Sequence, residues 1–467
     1  MSDSGSIRTR TVILGAAALL VVVGVIFFLV SDSAQKAVSA RAAEAVGNYA
    51  EKMMEENSIM EVIPVDVRQI NDYIFQATGI SNTVLISTQE GNVVFDTGLA
   101  IQAAKQKRML EEVAPDQPVT HIILSHSHQD HAGGTPFWAE EGSEIVTHRQ
   151  FPEEQRYLKQ LEPYLYQRNR LLFPWMPESP PEVGFMAYGH VVPTTLVDDY
   201  SSLVFEQGGV RFEVLPMPGA EGADNLTLWL PDEKIFFAGD FFGPYFPQFP
   251  NIFTMRGEKF RKPIEYIESL NRVLALEPEM VVPSHLDPVV GRERIREEVT
   301  RIRDAVQYVH DQVVKGMIEG KTVYQLMDEI HLPPELDLSQ KHGKVSWAVR
   351  SIWEYYATWF HMESTTELYS VPRSAVYADL VDTAGADRLT QKAQEYIASG
   401  KPVHALHVLE VTLESQPNHR AALEARREAL EILLARAKAE TANSYELRWL
   451  NHRIELTNQQ LGESRAQ

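Results

Sequence analysis

The stretch His126-Ser127-His128-Gln129-Asp130-His131 places four side chains that can bind a metal ion within six residues. An apolar run over residues 120–124 precedes it, and the pair Gly133-Gly134 follows it closely. The stretch is therefore expected where a strand ends, and strand ends are where α/β folds place their binding sites. A histidine-rich surface loop is the plain alternative, but the position between a strand and a glycine turn favours a metal site.

The chemistry of these side chains points to hydrolysis with two metal ions. His126 and His128, two positions apart on a turn, can face one ion, whereas Asp130 and His131 can face a second ion beside it. Imidazole and carboxylate groups suit zinc and similar divalent ions. Two such ions can hold a water molecule, lower its pKa towards neutrality and neutralise charge that develops on a substrate. The spacing predicts a dinuclear centre, and zinc is the expected metal.

Composition narrows the possible functions. With 43 basic and 64 acidic residues the chain has a net charge of -21, which repels nucleic-acid phosphates, so no nucleic-acid partner is expected. There is no cysteine, so any metal must be held by histidine, aspartate and glutamate. A length of 467 residues with 44% hydrophobic content is enough for one large domain and an accessory domain.

Short β-rich runs separated by turns fill the chain from residue 61 to 295. Residues 83–87 and 92–95 are two such runs with a turn between them, and residues 226–230 and 235–238 are two more. Runs of this kind that end in an acid or a glycine are typical of a domain with its site at the strand ends. Residues 61–295 are therefore predicted to form the catalytic domain.

From residue 296 to 467 the pattern becomes helical. Residues 301–316 and 345–360 follow the helical period and show no β alternation. Small and apolar residues between 390 and 440 resemble one tetratricopeptide-like helix pair. An ordinary amphipathic helix pair with an alanine-rich seam accounts for them equally well, so both interpretations stay open.

The N-terminus is predicted to be a membrane anchor. Residues 11–30 are almost continuously apolar, about the length that spans a bilayer as a helix. The tail 1–10 carries two arginines, so the positive-inside rule places it in the cytoplasm and the catalytic domain outside, in the periplasm of a Gram-negative cell. Residues 31–60 are expected to form a linker. The alternative is a cleaved signal peptide with its cleavage site near Val38-Ser39-Ala40.

The metal-binding stretch resembles a known signature. His126 to His131 matches the His-x-His-x-Asp-His pattern of the metallo-β-lactamase superfamily, and Phe95-Asp96-Thr97-Gly98 resembles the acidic turn that precedes it there. The resemblance implies an αββα sandwich. It also implies two further ligands at strand ends, with Asp240 as the acid that bridges both metals and His285 as the last ligand of the second metal.

Within that superfamily the chain is similar to the bacterial alkyl sulfatases, over about residues 60–460. Most members of the superfamily have a histidine after a glycine where this chain reads Pro218-Gly219-Ala220-Glu221. The resemblance implies that Glu221 replaces that histidine as the third ligand of the first metal, and Asp224 is the alternative ligand. Asp240 stands where the alkyl sulfatases carry a glutamate, and Asn225 stands where they carry a second acid.

Two further segments resemble the substrate side of the alkyl sulfatases. The segment 251–257 looks like their Asn-x-x-Thr-x-Arg-Gly pattern, which implies that Arg256 receives the sulfate and that Asn251 lies beside it. The alternative is that Arg256 simply pairs with Glu258. Residues 349–360 resemble a helix of the dimerisation domain, which implies a homodimer and a substrate contact by Tyr356, although periodicity alone makes these aromatic residues core.

The sequence as a whole predicts a membrane-anchored, dinuclear metal-dependent hydrolase of alkyl sulfate esters, acting on a small molecule. Another hydrolase of the same fold, such as a thioesterase, lactonase or β-lactamase, is one alternative. A non-enzymatic membrane-anchored interaction protein with a vestigial metal site is the other. The predicted metal ligands are His126, His128, Asp130, His131, Glu221, Asp240 and His285, the predicted catalytic residues are Asp130, Asp240 and Arg256, and the predicted substrate-binding residues are Asn251, Arg256 and Tyr356.

Overall fold

A computed structural model describes residues 64–173, 176, 191–252, 254–259 and 261–463. Within these ranges the first half of the chain forms two β-sheets. The first sheet has seven described strands, in which β1 to β4 are antiparallel neighbours and β4 to β7 are parallel neighbours. They are β1 (Val67–Gln69), β2 (Ile74–Ala77), β3 (Thr83–Thr88), β4 (Gly91–Phe95), β5 (Val119–Ile123), β6 (Glu144–His148) and β7 (Thr195–Val197).

The second sheet has six described strands in the order β13-β12-β11-β10-β9-β8. Its neighbours are antiparallel except β11 and β12, which are parallel. The strands are β8 (Leu203–Gln207), β9 (Val210–Pro216), β10 (Leu226–Leu230), β11 (Ile235–Gly239), β12 (Met280–Pro283) and β13 (Val289–Val290).

Along the chain, helices lie between some of these strands and after the last of them. In the sandwich they are α1 (Ala100–Glu111), α2 (Gln129–Ala132), α3 (Thr135–Trp138), α4 (Phe151–Leu172) and α5 (Pro263–Leu276). Further along the chain they are α6 (Arg292–Ile318), α7 (Val323–Glu329), α8 (Val345–Ala357), α9 (Tyr377–Ala384), α10 (Ala386–Ala398), α11 (Pro402–Ser415), α12 (Arg420–Glu440) and α13 (Ser444–Glu463), with short 3₁₀ turns at Pro334–Leu336, Thr365–Leu368 and Arg373–Val376.

Alternation along the strands builds the layers. Successive side chains of a strand point to opposite faces of its sheet. Val84 and Ile86 of β3 lie in the core between the two sheets together with Val214 of β9, whereas Leu85 belongs to a second core under α1 and α4 with Leu110. Since both faces of β3 are buried, this part of the sheet must be covered on both sides.

The outer face of the second sheet is covered in the same way. Phe236 and Val281 share a core with Leu270 of α5, Val299 of α6 and Val349 of α8. The layers run helix, sheet, sheet, helix, as the resemblance to the metallo-β-lactamase superfamily implies. The predicted boundary between residues 295 and 296 falls inside α6, because the buried side of this helix belongs to the sandwich core rather than to a separate helical unit.

The helices from α10 onward have a core of their own. Ala393, Ala405 and Ala422 are fully buried where α10, α11 and α12 pack against one another, and Leu409 fills the space between them. The predicted alanine-rich seam is therefore an interior surface, because small side chains let neighbouring helices approach closely.

Helix α13 returns to the sandwich. It packs against α4, and its approach is fixed by Asn443, whose Nδ2 donates to the backbone oxygens of Gln340 and His342 at 2.8 and 2.9 Å. The Asn443 Oδ1 accepts from the backbone N–H groups of Tyr445 and Glu446 and so caps the helix. The helical part thereby brings Tyr445 to the edge where the strands of the sandwich end.

The predicted tail 1–10, anchor 11–30 and linker 31–60 lie outside the described residues. Among the helices that the structure does describe, none is both long and apolar enough to span a bilayer.

Candidate metal centre

The predicted ligands converge at one edge of the sandwich. His126 and His128 lie just after β5, His285 just after β12, and Asp240 directly follows β11. Asp130 and His131 begin the short helix α2, and Glu221 lies in the turn between β9 and β10. All seven residues are placed by segments that leave a buried strand, so the local backbone is held by the core.

A first group of ligand atoms is formed by His126, His128 and Glu221. Nε2 of His126 and Nδ1 of His128 are 2.7 Å apart, and Nδ1 of His128 is 3.4 Å from Oε1 of Glu221. One ligand atom from each of the three lies within 4.8 Å of the others, a spacing that one cation can bridge.

A second group is formed by Asp130, His131 and His285. Oδ2 of Asp130 lies 3.6 Å from Nε2 of His131 and 3.7 Å from Nε2 of His285. Nδ1 of His285 lies 2.7 Å from the backbone oxygen of Ile80, and this contact fixes the direction of Nε2. A carboxylate and two imidazoles again surround one position.

Asp240 lies between the two groups. Its Oδ1 is 3.1 Å from Nε2 of His285, and its Oδ2 is 3.5 Å from Nε2 of His131. With His126 and His131 it also forms a third group of ligand atoms. Burial acts to raise the pKa of Asp240, but His285 and His131 hold it well below the usual range for a carboxyl. The carboxylate can therefore face both positions in its ionised form.

The donor set fits a divalent cation. Nδ1 of His131 lies 2.8 Å from Oδ2 of Asp96, so this nitrogen carries the proton that the carboxylate accepts. Within the described residues the buried Nε2 of His131 has no hydrogen-bond partner, and it faces the carboxylates of Asp130 and Asp240. Buried polar atoms are normally paired. This nitrogen, unpaired among the described residues, and the two carboxylates beside it therefore require a positive charge between them.

Asp96 organises the residues behind the candidate ligands. Its carboxylate accepts from the N–H of Ser125 at 2.8 Å, from the hydroxyl of Ser125 at 2.9 Å and from the hydroxyl of Ser284 at 2.7 Å. Ser125 Oγ also lies 3.0 Å from Nδ1 of His126. Carboxylates in this position fix the tautomer and orientation of ligating histidines. The sequence showed the acidic turn that contains Asp96, but not this role.

A cluster of two arginines and two glutamates adjoins the first group. Nη2 of Arg256 is 2.9 Å from Oε1 of Glu258 and 3.6 Å from Oε1 of Glu221. Nη2 of Arg261 is 2.6 Å from Oε1 of Glu221 and 3.4 Å from Oε2 of Glu258. Burial acts to raise the pKa of Glu258, but Arg256 and His128 hold it well below the usual range. The structure therefore contains the ion pair between Arg256 and Glu258 that the sequence left as an alternative.

The structure separates the two candidates for the third ligand of the first metal. Glu221 belongs to the first group, whereas among the described residues Asp224 belongs to none. Oδ2 of Asp224 accepts from the backbone N–H of Ser127 at 2.9 Å, and burial raises the pKa of Asp224 to about 6. Asp224 thus braces the loop between the two histidines.

The predicted substrate-binding residues have different surroundings. Asn251 is buried, its backbone oxygen accepts from Nη1 of Arg261 at 2.8 Å, and its Nδ2 has no hydrogen-bond partner within the described chain. Tyr356 on α8 is 43% exposed, and its hydroxyl lies 2.8 Å from Nε2 of His310 on α6. The substrate contact of Tyr356 stays a prediction.

Two residues that the sequence did not single out also lie at the site. His342 is near Arg256 and Arg261, and burial together with these charges lowers its pKa to about 3. Tyr445 is 3% exposed, and burial raises its pKa while Arg256 acts to lower it. No local sequence pattern marks either residue.

A cavity of about 140 Å³ opens beside the first group. His126 and His128 line one side, Tyr157 and Leu158 of α4 line another, and Glu258 lies among the lining residues. A small molecule in this cavity would contact the first group of candidate ligands together with Glu258 and Arg261 of the charged cluster.

Comparison with known families gives two matches along the chain. The family described as the metallo-beta-lactamase superfamily matches residues 77–285, and the family described as alkyl sulfatase dimerisation matches residues 322–452. The first match contains all seven predicted metal ligands, and the second lies within the helical part.

Curated relatives agree with these matches. A linear primary-alkylsulfatase of a Pseudomonas species is 28% identical over 298 residues, which cover 59% of this chain and 56% of the relative. An alkyl/aryl-sulfatase of Saccharomyces cerevisiae is 23% identical over 409 residues, covering 81% and 62%. A 2,4-dinitroanisole O-demethylase subunit alpha of a Nocardioides species is 22% identical over 218 residues, covering 46% and 55%. The chain spans less than two thirds of the length of each of these relatives.

A solved structure shows the same fold. The stereoselective inverting sec-alkylsulfatase Pisa1 from a Pseudomonas species superimposes with a TM-score of 0.73 at 20% identity, over 84% of this chain and 66% of the other. Together with the two family matches, this similarity confirms the predicted order of a metallo-β-lactamase fold followed by a helical domain.

Proposed function

Since this chain is a metallo-β-lactamase superfamily protein with an alkyl sulfatase dimerisation domain, we propose that it is a metal-dependent hydrolase of small alkyl sulfate esters. The observation that carries the proposal is the convergence of three groups of ligand atoms, one of which contains Asp240. With it goes Nε2 of His131, which has no hydrogen-bond partner among the described residues. The alkylsulfatases among its relatives support the choice of ester.

We assign the ligands to two divalent ions, with zinc as the proposed metal. His126, His128 and Glu221 would hold the first ion, and Asp130, His131 and His285 the second, with Asp240 shared between them. Ions bound there would act as Lewis acids and bring the pKa of water towards neutrality.

The chain's own residues have separate tasks in this proposal. Asp96 keeps the His131 imidazole in the tautomer that leaves Nε2 bare. Arg261 holds one oxygen of Glu221 and so fixes the direction of its carboxylate. Arg256 receives the sulfate group through its planar guanidinium. Nδ2 of Asn251, which has no hydrogen-bond partner among the described residues, donates to an ester oxygen. Asp130 and Asp240 complete the catalytic set as the carboxylates that face the reacting water.

A panel of substrates tests the proposed reaction. Purified protein loaded with zinc or manganese is assayed on alkyl sulfates of increasing chain length, and on a thioester, a lactone and a β-lactam. Release of sulfate is expected from the alkyl sulfates. Turnover of the thioester or the lactone, with no sulfate released from any alkyl sulfate, would contradict the substrate class.

An uncharged ester or ether is a second candidate substrate. The ion pair between Arg256 and Glu258 favours it, because the charge that would attract a sulfate is already matched by a carboxylate. The similarity to a dinitroanisole O-demethylase subunit also supports it. The same panel, extended with an aryl methyl ether, separates the two candidates.

We also propose that the protein is a membrane-anchored homodimer. The apolar run 11–30 would anchor it with the catalytic part outside the cytoplasm, and the dimerisation match supports the second copy. Membrane fractionation with and without high salt tests the anchor, and light scattering of the purified chain tests the dimer. A monomer at micromolar concentration would contradict the latter.

A further inference from the structure

Glu258 lies against Arg256, the residue proposed to receive the sulfate group. Its side chain is 14% exposed, and its two oxygens contact three cationic or potentially cationic groups. Oε1 lies 2.9 Å from Nη2 of Arg256, and Oε2 lies 3.4 Å both from Nη2 of Arg261 and from Nε2 of His128. A carboxylate and a sulfate present similar oxygens to a guanidinium, so they compete for the same donors.

The backbone that carries Arg256 is held in place. Arg168 of α4 donates from Nη2 to the backbone oxygen of Met255 at 2.8 Å and from Nε to that of Arg256 at 3.2 Å. Gly257 has a φ of 96°, a conformation that suits glycine, and the hydroxyl of Tyr157 donates to its oxygen at 3.2 Å. Because the backbone is held, any competition between Glu258 and an incoming anion takes place between side chains.

The charges of the cluster are matched in pairs. Arg261 lies 2.6 Å from Glu221, and Arg256 lies 2.9 Å from Glu258. Among the described residues of this cluster, an incoming anion therefore meets no unmatched guanidinium, and it brings a like charge close to Glu258. Like charges in a partly buried site are repelled strongly, which lowers the affinity for the anionic partner.

We propose that Glu258 is a specificity-determining residue, which competes with the anionic group of the substrate for Arg256 and so weakens the binding of sulfate esters relative to uncharged ones. This inference rests on the proposed function, since it takes Arg256 to face the substrate. Glu258 acts through Arg256 and takes no part in the bond that breaks.

A purely structural role for Glu258 predicts the opposite result. The contact with Nε2 of His128 could serve only to orient this imidazole, as carboxylates behind metal ligands do. Removing the charge would then weaken metal binding and lower kcat, and sulfate affinity would not rise. The direction of the change thus separates the two roles.

The test compares three substitutions in metal-loaded protein. Glu258→Gln keeps the shape and removes the charge, Glu258→Asp keeps the charge, and Glu153→Gln removes a surface acid that pairs with Arg156 at 2.7 Å. Affinity for inorganic sulfate is measured by calorimetry, and KM and kcat are measured for one alkyl sulfate and one uncharged ester.

For Glu258→Gln we expect sulfate binding to tighten about tenfold and KM for the alkyl sulfate to fall by a similar factor, with KM for the uncharged ester unchanged. Glu153→Gln should stay within about twofold of the unsubstituted protein. Glu258→Asp keeps the negative charge, so it should bind sulfate more weakly than Glu258→Gln does. Sulfate affinity that is unchanged or weaker in Glu258→Gln overturns the inference.

The proposed function can fail separately. If no variant releases sulfate from an ester, yet Glu258→Gln still binds inorganic sulfate more tightly, the substrate class is wrong and the role of Glu258 stands. If the unsubstituted protein cleaves alkyl sulfates and Glu258→Gln changes neither sulfate affinity nor KM, the function stands and the role of Glu258 is refuted.

Discussion

Nδ1 of His131 lies 2.8 Å from Oδ2 of Asp96, and the same carboxylate oxygen accepts from the hydroxyls of Ser125 and Ser284. These contacts tie the ends of β4, β5 and β12 to a single carboxylate that is fully buried. The relationship makes Asp96 the residue on which the geometry of the second metal position depends.

Replacing Asp96 by asparagine should therefore weaken metal binding. The asparagine amide lacks the negative charge with which the carboxylate accepts from its three donors. It also allows the His131 imidazole to adopt the wrong tautomer. We expect the affinity for zinc to fall by about 10- to 100-fold, measured by competition with a chelator.

The control for this substitution is Asp199→Asn. Asp199 makes the same kind of contact with a histidine, at 3.0 Å from Nε2 of His148, away from the candidate ligands. Zinc affinity that drops equally in both variants would show that the loss is not specific to the metal centre.

The two candidates for the third ligand of the first metal can be distinguished by metal content. Glu221 lies with His126 and His128, whereas Asp224 braces the backbone of Ser127. We expect Glu221→Gln to lose about one metal ion per chain and Asp224→Asn to retain both. Elemental analysis after gentle purification measures this, and the reverse pattern would transfer the ligand role to Asp224.

Asp224 should also give the stability of the metal-free protein a particular pH dependence. Burial raises its pKa to about 6, so the folded chain holds a proton that the unfolded chain has released. Protonated Asp224 therefore contributes to the stability of the folded chain at acid pH, and this contribution is lost as the pH rises through about 6. Asp224→Asn has no carboxyl group and so removes this loss. The melting temperature of the variant minus that of the unsubstituted protein should therefore be larger at pH 8 than at pH 4.5. A difference that is the same at both values would refute the assignment.

Docking of α13 is expected to depend on Asn443. Its side chain is fully buried, donates to two backbone oxygens and accepts from two N–H groups, so alanine leaves these groups unpaired. We expect Asn443→Ala to lower the free energy of unfolding by about 2 to 3 kcal/mol, measured by denaturant titration. Asn451→Ala on the exposed face of α13 serves as the control and should change it by less than about 0.5 kcal/mol.

The sequence predicted those parts of the site that are carried by local patterns. His126 to His131, Asp240 and His285 each follow an apolar run that forms a strand, and the structure brings all of them together. The fold class followed from the same motif. Strand ends are readable because the core determines both the apolar run and the point at which it stops.

Contacts between distant segments were not predictable in this way. Arg261 and Glu221 are 40 residues apart, and Ser284 is 188 residues from Asp96, so nothing local joins them. The site also receives His342 and Tyr445 from the helical part, whose placement depends on how α13 returns to α4. Side-chain pairing of this kind depends on how distant segments pack. A single sequence does not show which of these segments will meet.

Calorimetric titration of the metal-free chain with zinc tests the central claim most directly. Six ligand residues and the shared Asp240 predict two ions bound per chain, with Asp130→Ala binding fewer. Binding of less than one ion per chain to correctly folded protein would contradict a dinuclear centre and favour a non-enzymatic role.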